Sequence, residues 1–325
     1  LVVAAVLVLL ALAIFLRSKA PPEAARLLPE SDGIVYVNFK PIRTFSHFKD
    51  LKPPQRDPDY QRFVDATGVD WEQDLDQVAI ALHRMPDPKG PNGPVAYSMV
   101  LVGKLTGEKL NSWLDAHAAS RESYGGHTIY NITSQDRTVR VTQIGYDMIA
   151  VSNTPTTEQI HSMLDRHRAA ALPFSGSSLL ERYYKEIPLL SIAWGMGQIG
   201  APFSESGTIK IFGISLPIEA DSTFIASIRW AGSLHLRVVE IAPNEGAATE
   251  QAASLATLLT MARGLAAPLG ENAANDGLKE LLKTAVVNQN QDRVVLTATV
   301  SPALFATPEN SSSGQTTSPA PDATK

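Results

Sequence analysis

Sixteen apolar residues in a row, Leu1 to Leu16, read LVVAAVLVLLALAIFL and stop at Arg17-Ser18-Lys19. No charge or amide interrupts them, so the segment cannot form one face of a water-soluble helix, where apolar positions recur every 3.6 residues. As a helix it spans roughly 24 Å, a little short of the ~30 Å apolar layer of a bilayer. We expect residues 1–19 to be a transmembrane signal-anchor whose partner is the lipid bilayer through Leu1–Leu16. The alternative is a cleaved signal. A cut after Ala20 would leave Pro21 directly beyond it, and a cut after Ala25 would place Glu23 where a small residue is needed. Arg17 and Lys19 favour keeping their own side in the cytoplasm. The chain opens on Leu rather than Met, so we expect an upstream flank that sets the orientation.

Beyond Lys19 the longest apolar candidate, Ala252 to Leu269, is broken by Thr, Arg, Gly and Pro. The pattern is therefore that of a single-pass chain with about 300 residues on one side, enough for two domains. A composition of 44% hydrophobic and 19% charged residues is that of a packed protein. The formal net charge of -5 offers no broad basic field for nucleic acid. There is no cysteine, which removes disulfides, thiolate metal sites and thiol nucleophiles together. That absence suits a domain folding outside the cytoplasm without oxidation.

The periodicities then predict elements. Gly33 to Phe39 reads as a first strand, Asp59 to Ala66 as a helix stopped by Gly68, and Gln77 to His83 and Pro94 to Val102 as a hairpin. Thr106 should cap a helix with Leu110, Trp113 and Leu114 on one face. Strands at His127–Ile132, Thr138–Ile144 and Met148–Ser152 precede a helix opened by Thr154-Pro155, with Ile160, Met163 and Leu164 inward.

A second group begins near Pro173. It has a helix at Leu179–Lys185, a strand at Leu189–Trp194 and an extended stretch at Ile209–Ile218. A hairpin follows, Thr223–Trp230 and Leu234–Ile241, turning at Ala231-Gly232-Ser233. A helix from about Ala247 to Gly264 should bury Ala252, Leu255, Leu258, Leu259 and Ala262. Leu278–Leu282 and Val294–Val300 complete it.

The expected fold class is α+β: an N-terminal transmembrane helix followed by two mainly antiparallel sheet modules with helices packed beside them. The boundaries are 20–170 for the first extracytoplasmic module, 171–306 for the second and 307–325 for a disordered Ser/Thr/Pro/Ala tail. Both modules share hairpins, helices and returning strands, yet no matching residues prove a repeat.

Chemical motifs are sparse. Gly195-Met196-Gly197-Gln198-Ile199-Gly200 fits a dinucleotide fingerprint, but Ala201-Pro202 follows at once and leaves no room for the phosphate-facing helix. A flexible glycine-rich loop is the reading, with no nucleotide. Gly103-Lys104-Leu105-Thr106 lacks the upstream Gly of a phosphate loop and reads as a turn with a capping Thr. Asp70, Glu72, Asp74 and Asp76 alternate, but Leu75 and Ala81 stand where a calcium loop needs Gly and Glu, which leaves a hydrated acidic loop.

His161 and His167 point about 120° apart on their helix, and His161 should pair with Asp165. His117 should be a partly buried core histidine, and Trp71, Trp113, Trp194 and Trp230 should pack in the core. No catalytic, cofactor-binding or metal residue is assigned. A serine–histidine–carboxylate triad needs no sequence adjacency and stays open.

Leu28-Pro29-Glu30-Ser31-Asp32 leading into Val35-Tyr36-Val37-Asn38 resembles the opening of uncharacterised bacterial envelope proteins with an N-terminal anchor. Thr67-Gly68-Val69-Asp70 running into Asp74-Leu75-Asp76-Gln77-Val78-Ala79 is similar to their next helix–loop–strand passage. The resemblance covers the first third of the chain and implies an extracytoplasmic α+β protein, with no catalytic residues to carry over.

The sequence thus points to a single-pass membrane protein, periplasmic or at the cell surface. Its expected role is non-catalytic, binding an envelope protein partner through a sheet face or edge, or purely structural. Two alternatives stand beside it: an inner-membrane scaffold subunit of a secretion or pilus assembly, and an anchored hydrolase with a dispersed triad.

Overall fold

The computed structural model describes residues 20–44, 57–134, 137–169, 176–198, 208–211, 214–217, 222–268, 270 and 273–300. Helix α1 (Glu23–Arg26) leads into β1 (Gly33–Asn38) and α2 (Phe39–Thr44). Helices α3 (Pro58–Thr67) and α4 (Trp71–Asp74) precede the hairpin of β2 (Leu75–Arg84) and β3 (Val95–Gly103). After α5 (Glu108–His117) come β4 (Ser120–Tyr124), β5 (His127–Ser134), β6 (Arg137–Gln143), β7 (Met148–Ser152) and α6 (Glu158–Arg168).

The second half runs α7 (Ser178–Tyr183), β8 (Ser191–Gln198), β9 (Thr208–Ile211), β10 (Ile214–Pro217), β11 (Thr223–Trp230) and β12 (Leu234–Ile241). It ends with α8 (Glu245–Ala266), α9 (Ala273–Thr284), β13 (Val286–Asn290) and β14 (Arg293–Val300).

Local chemistry sets the helix ends. Asp57 accepts from the Asp59 amide ahead of Pro58, and Gly68, at φ 71°, closes α3 in the left-handed conformation that suits glycine. Asp70 and Asn244 cap α4 and α8 in the same way. At the end of the Asp70–Asp76 set, Asp76 pairs with Lys40 at 3.0 Å and with Arg43.

Twelve strands form one antiparallel sheet in the order β13-β14-β12-β11-β8-β1-β2-β3-β7-β6-β5-β4, with β9 and β10 paired apart from it. This corrects the expectation of two sheet modules. β1 pairs with β2 on one side and with β8 on the other, from Gly33 opposite Gly197 to Val37 opposite Ala193. Each half would otherwise leave a strand edge with unpaired backbone groups, and the two edges satisfy each other. The expected transmembrane helix has no counterpart among the described residues. No helix among the described residues is long and apolar enough to cross a membrane. Leu1–Leu16 and the tail 307–325 lie outside the described residues.

Outward from the β1–β8 joint the halves match. One side runs β1, β2, β3, β7 and the other β8, β11, β12, β14. In each, helices link the third of these strands to those that return. One registered row crosses the whole sheet: Glu122, Ile129, Thr142, Ala150, Val100, Ala79, Tyr36, Trp194, Ser227, Arg237, Thr297, Val286. Paired residues point to the same side, so these twelve share a face.

On that face a single core joins the halves, holding Leu27, Leu28, Ile34, Tyr36, Trp194, Met196, Ile225 and Val239 with Ile160, Met163 and Leu164 of α6. In the first half the opposite face is covered by α5, whose Leu110 and Leu114 pack with Leu101 and Ile149. In the second, Leu281 of α9 packs with Leu234 and Leu236. Helix α8 departs from expectation. Its buried residues are Ala248, Gln251 and Ala266, while Ala252, Leu255, Leu258, Leu259 and Ala262 are half-buried. It lies along the edge strand β13 and against α9, so only a narrow side is covered.

Candidate functional site

Most of the sequence motifs resolve into structure. Gly195 and Gly197, expected in a flexible loop, sit within β8. A Cβ on Gly197 would fall 2.8 Å from the Asp32 carbonyl and 2.9 Å from the Gly33 Cα, and one on Gly195 would fall 3.3 Å from the Ile34 carbonyl. These glycines let β1 approach closely; Ile199 and Gly200 are outside the described residues. Gly103 is confined more tightly still, by the Asp74 carbonyl where its Cβ would be. Thr106 does not cap α5. Gly107 holds that position, and the Thr106 hydroxyl donates to the Tyr146 carbonyl at 2.9 Å.

His117 is exposed and stacks on Trp113 at 4.2 Å, not in the core. His161 pairs with Glu122 at 2.7 Å instead of Asp165, because the edge strand β4 brings that carboxylate under α6. Trp194 is 4% exposed and stacks on Tyr36. Trp71 and Trp113 are half-buried against Phe63, and Trp230 is half-buried with Ile228 and Leu234.

A triad fares poorly among the described residues. His83 Nε2 lies 3.0 Å from the Ser98 hydroxyl, which bonds onward to Ser152 and Thr154. Ser98 and Ser152 are wholly buried, so no substrate reaches them. Burial pushes the His83 imidazole below its ordinary value, against the opposing pull of Asp32 and a hydrogen bond to the Glu30 backbone. His235 Nε2 bonds the Ser233 hydroxyl at 3.0 Å, but no carboxylate orients its ring. No three His, Asp or Glu side chains gather as a metal would require among the described residues.

A shallow hollow of about 580 Å³ lies over α6, lined by Glu158, His161, Ser162, Asp165 and Arg166. Most of its charges are answered internally. His161 takes Glu122 and lies flat on Tyr124 at 3.7 Å. Asp165 accepts from the Tyr124 hydroxyl at 2.9 Å, and Arg166 reaches Glu30 at 3.0 Å. Glu30 in turn accepts from the amide and hydroxyl of Ser178 at the start of α7. The set fastens β4, α6 and α7 together.

The groove in the second half differs. The β-branched and aromatic alternation of Thr223–Trp230 and Leu234–Ile241 forms the β11–β12 hairpin, turning at Gly232 with φ 78°. β14 adds to its outer side. Two rows on the same face then line a groove of about 380 Å³: Ser227, Arg237, Thr297, and Arg229, His235, Thr299. Pro188 and Thr284 close its margins. Thr284 Oγ1 accepts from the Thr299 amide at 2.9 Å and fixes the end of α9 to β14.

Among the described residues no carboxylate lines this groove. Arg229 is exposed and makes no ion pair among the described residues. Arg237 donates to the Glu186 backbone carbonyl at 3.2 Å. The Glu186 carboxylate is turned to Arg293 at 2.9 Å. Two guanidinium forks, an imidazole and threonine hydroxyls suit the oxygens of a carboxylate or phosphate. The sequence holds this signal as Arg229, His235 and Arg237 at alternating positions on one hairpin, readable only once their common face is known to be open.

No protein-family model matches the chain, and no curated protein sequence matches it. Among solved structures it is similar to the protein TP0453. Crystal form III gives a TM-score of 0.44 at 12% identity, over 88% of this chain and 97% of that one. Form I gives 0.43 at 12% identity, over 89% and 96%. Likeness of this degree is distant and says nothing of what this chain binds.

Proposed function

We propose that this chain is a non-catalytic binding protein of the cell envelope, held at the membrane by Leu1–Leu16, which takes an anionic partner into the groove on β11, β12 and β14. One observation carries the binding reading: Arg229, His235 and Arg237 converge with Thr297 and Thr299 where no carboxylate of the described residues lines the groove. Charged groups left open to solvent in a concave site favour opposite charge. The envelope location rests on the unbroken apolar run, the absence of cysteine and the resemblance of the first third to anchored envelope proteins.

Titrating the full chain with inorganic phosphate and with short oligoglutamate, followed by calorimetry, tests the groove. Arg229→Ala with Arg237→Ala should weaken binding at least tenfold, since a hydrogen bond to a charged group contributes about 1.5–3 kcal/mol. Equal binding by the double variant would remove the groove from the account. Release of the chain from lysed cells without detergent would remove the membrane.

A further inference from the structure

Along the twelve-residue row, the three residues beyond Tyr36 are Ala79, Val100 and Ala150, each wholly buried. They share a core with Ile160, Met163 and Leu164 of α6, the helix that follows β7. The three residues beyond Trp194, at the same places in the matching half, are Ser227, Arg237 and Thr297. Among the described residues only the short turn Tyr184–Glu186 reaches that stretch, where the Glu186 carbonyl accepts from Arg237; Ser227 is buried and the stretch opens toward Arg229 and Thr299. Three adjacent strands span about 10 Å, which is the width of one helix.

The rim is apolar and strained. Beside Pro188, Leu189 and Leu190 are 50% and 81% exposed, and Leu190 holds φ 63°, a left-handed conformation that disfavours leucine. Leu190 immediately precedes Ser191, which pairs with Arg229. At the other side, Val286 ends the row half-exposed on the edge strand. A cationic centre between apolar margins is complementary to an amphipathic segment with acidic side chains.

We infer that this face docks an acidic, amphipathic helical segment of a protein partner, seated beside the Tyr184–Glu186 turn. The inference rests on the anion-binding reading of the groove and narrows it to a polypeptide. The acidic side chains meet Arg229, Arg237 and His235, and the apolar ones meet Leu189, Leu190 and Val286. This is the helix-in-groove mode, in which periodic anchors give affinity and charge gives register.

The test uses the full chain in detergent and a fluorescent synthetic peptide of about 14 residues, some 21 Å as a helix. Glu occupies one face of the peptide, and Leu and Ala the other. A scrambled peptide of equal composition and inorganic phosphate are the other probes. The patterned peptide should bind at least tenfold tighter than the scrambled one by anisotropy and gain helicity on binding. Arg229→Glu, at an exposed unpaired position, should abolish the preference. Leu190→Asn should weaken the patterned peptide several-fold while leaving the fold as stable or more so, because asparagine accepts the left-handed conformation.

Equal binding of both peptides, with Arg229→Glu weakening both, would overturn the helical docking and leave the anion site standing. Binding of no anionic probe would overturn both. Indifference to Leu190→Asn and Arg229→Glu would place the peptide elsewhere and sink the proposal. Peptide binding that appears only after removal of residues 301–325 would sink it as well, in favour of this chain's own following segment as the occupant.

Discussion

Tyr36 and Trp194 face each other in register across β1 and β8, their rings stacked at 5.3 Å with 24° between planes. Tyr184 from the turn after α7 meets the Trp194 ring edge-on at 5.5 Å. Burial pushes the Tyr36 phenol above its ordinary range. The pair sits where two halves of one sheet become continuous, so its loss should act on both.

Trp194→Ala is expected to destabilise the whole protein by about 3–5 kcal/mol, as large aromatic truncations in packed cores do. Urea unfolding followed by far-ultraviolet circular dichroism should show a single shifted transition. Two separate transitions, with one half unaffected, would show the halves to be independent.

Gly197→Ala should cost about 1–3 kcal/mol, the range for forcing atoms into packed space, because backbone atoms of Asp32 and Gly33 cannot yield as a side chain end can. Gly195→Ala, with its nearest contact at 3.3 Å, should cost clearly less. Thermal melting of the two variants side by side checks the order; a reversed order would mean that β1 and β8 are spaced otherwise.

His83 introduces a pH dependence whose sign follows from its lowered pKa. The unfolded chain binds the proton more readily, so stability is full above about pH 6.5 and declines as pH falls from there toward the folded value, by at most ~1.4 kcal/mol per pH unit. His83→Gln retains a partner for Ser98 and removes the titration. Urea midpoints between pH 7.5 and 5.5 should fall for the parent protein and stay level for the variant over that window. Parallel declines would assign the effect to other groups.

Edge strand β4 is held to α6 by His161–Glu122, by the flat Tyr124–His161 contact and by Tyr124 to Asp165. Since this fastening is local, His161→Ala should speed amide hydrogen exchange of residues 120–124 about tenfold with little change in global unfolding. Unchanged exchange there would mean that pairing to β5 alone keeps the edge closed.

Elements with strong punctuation were legible before the fold. β1, α3, the β2–β3 hairpin and the β11–β12 turn follow from Gly68, Gly232 and alternating β-branched residues. β4 and β13 escape that reading. Ser120–Tyr124 and Val286–Asn290 are short polar edge strands, and each is recognisable only by its single neighbour. The groove was half legible. Its arginines and histidine alternate on one hairpin, but the same alternation in a covered sheet would have signalled nothing.

Composition and local pattern alone determined the apolar run at residues 1–16, the absence of thiol chemistry, the hairpins and the capped helices, because each depends on neighbours a few residues away. Whether two groups of strands stay apart or merge is a matter of which backbone edges meet, and Gly33 meets Gly197 across 164 positions of chain with no local trace. That pairing made one sheet of two, and it laid α6 over one flank of a shared face while leaving Arg229 exposed and Arg237 half-buried on the other.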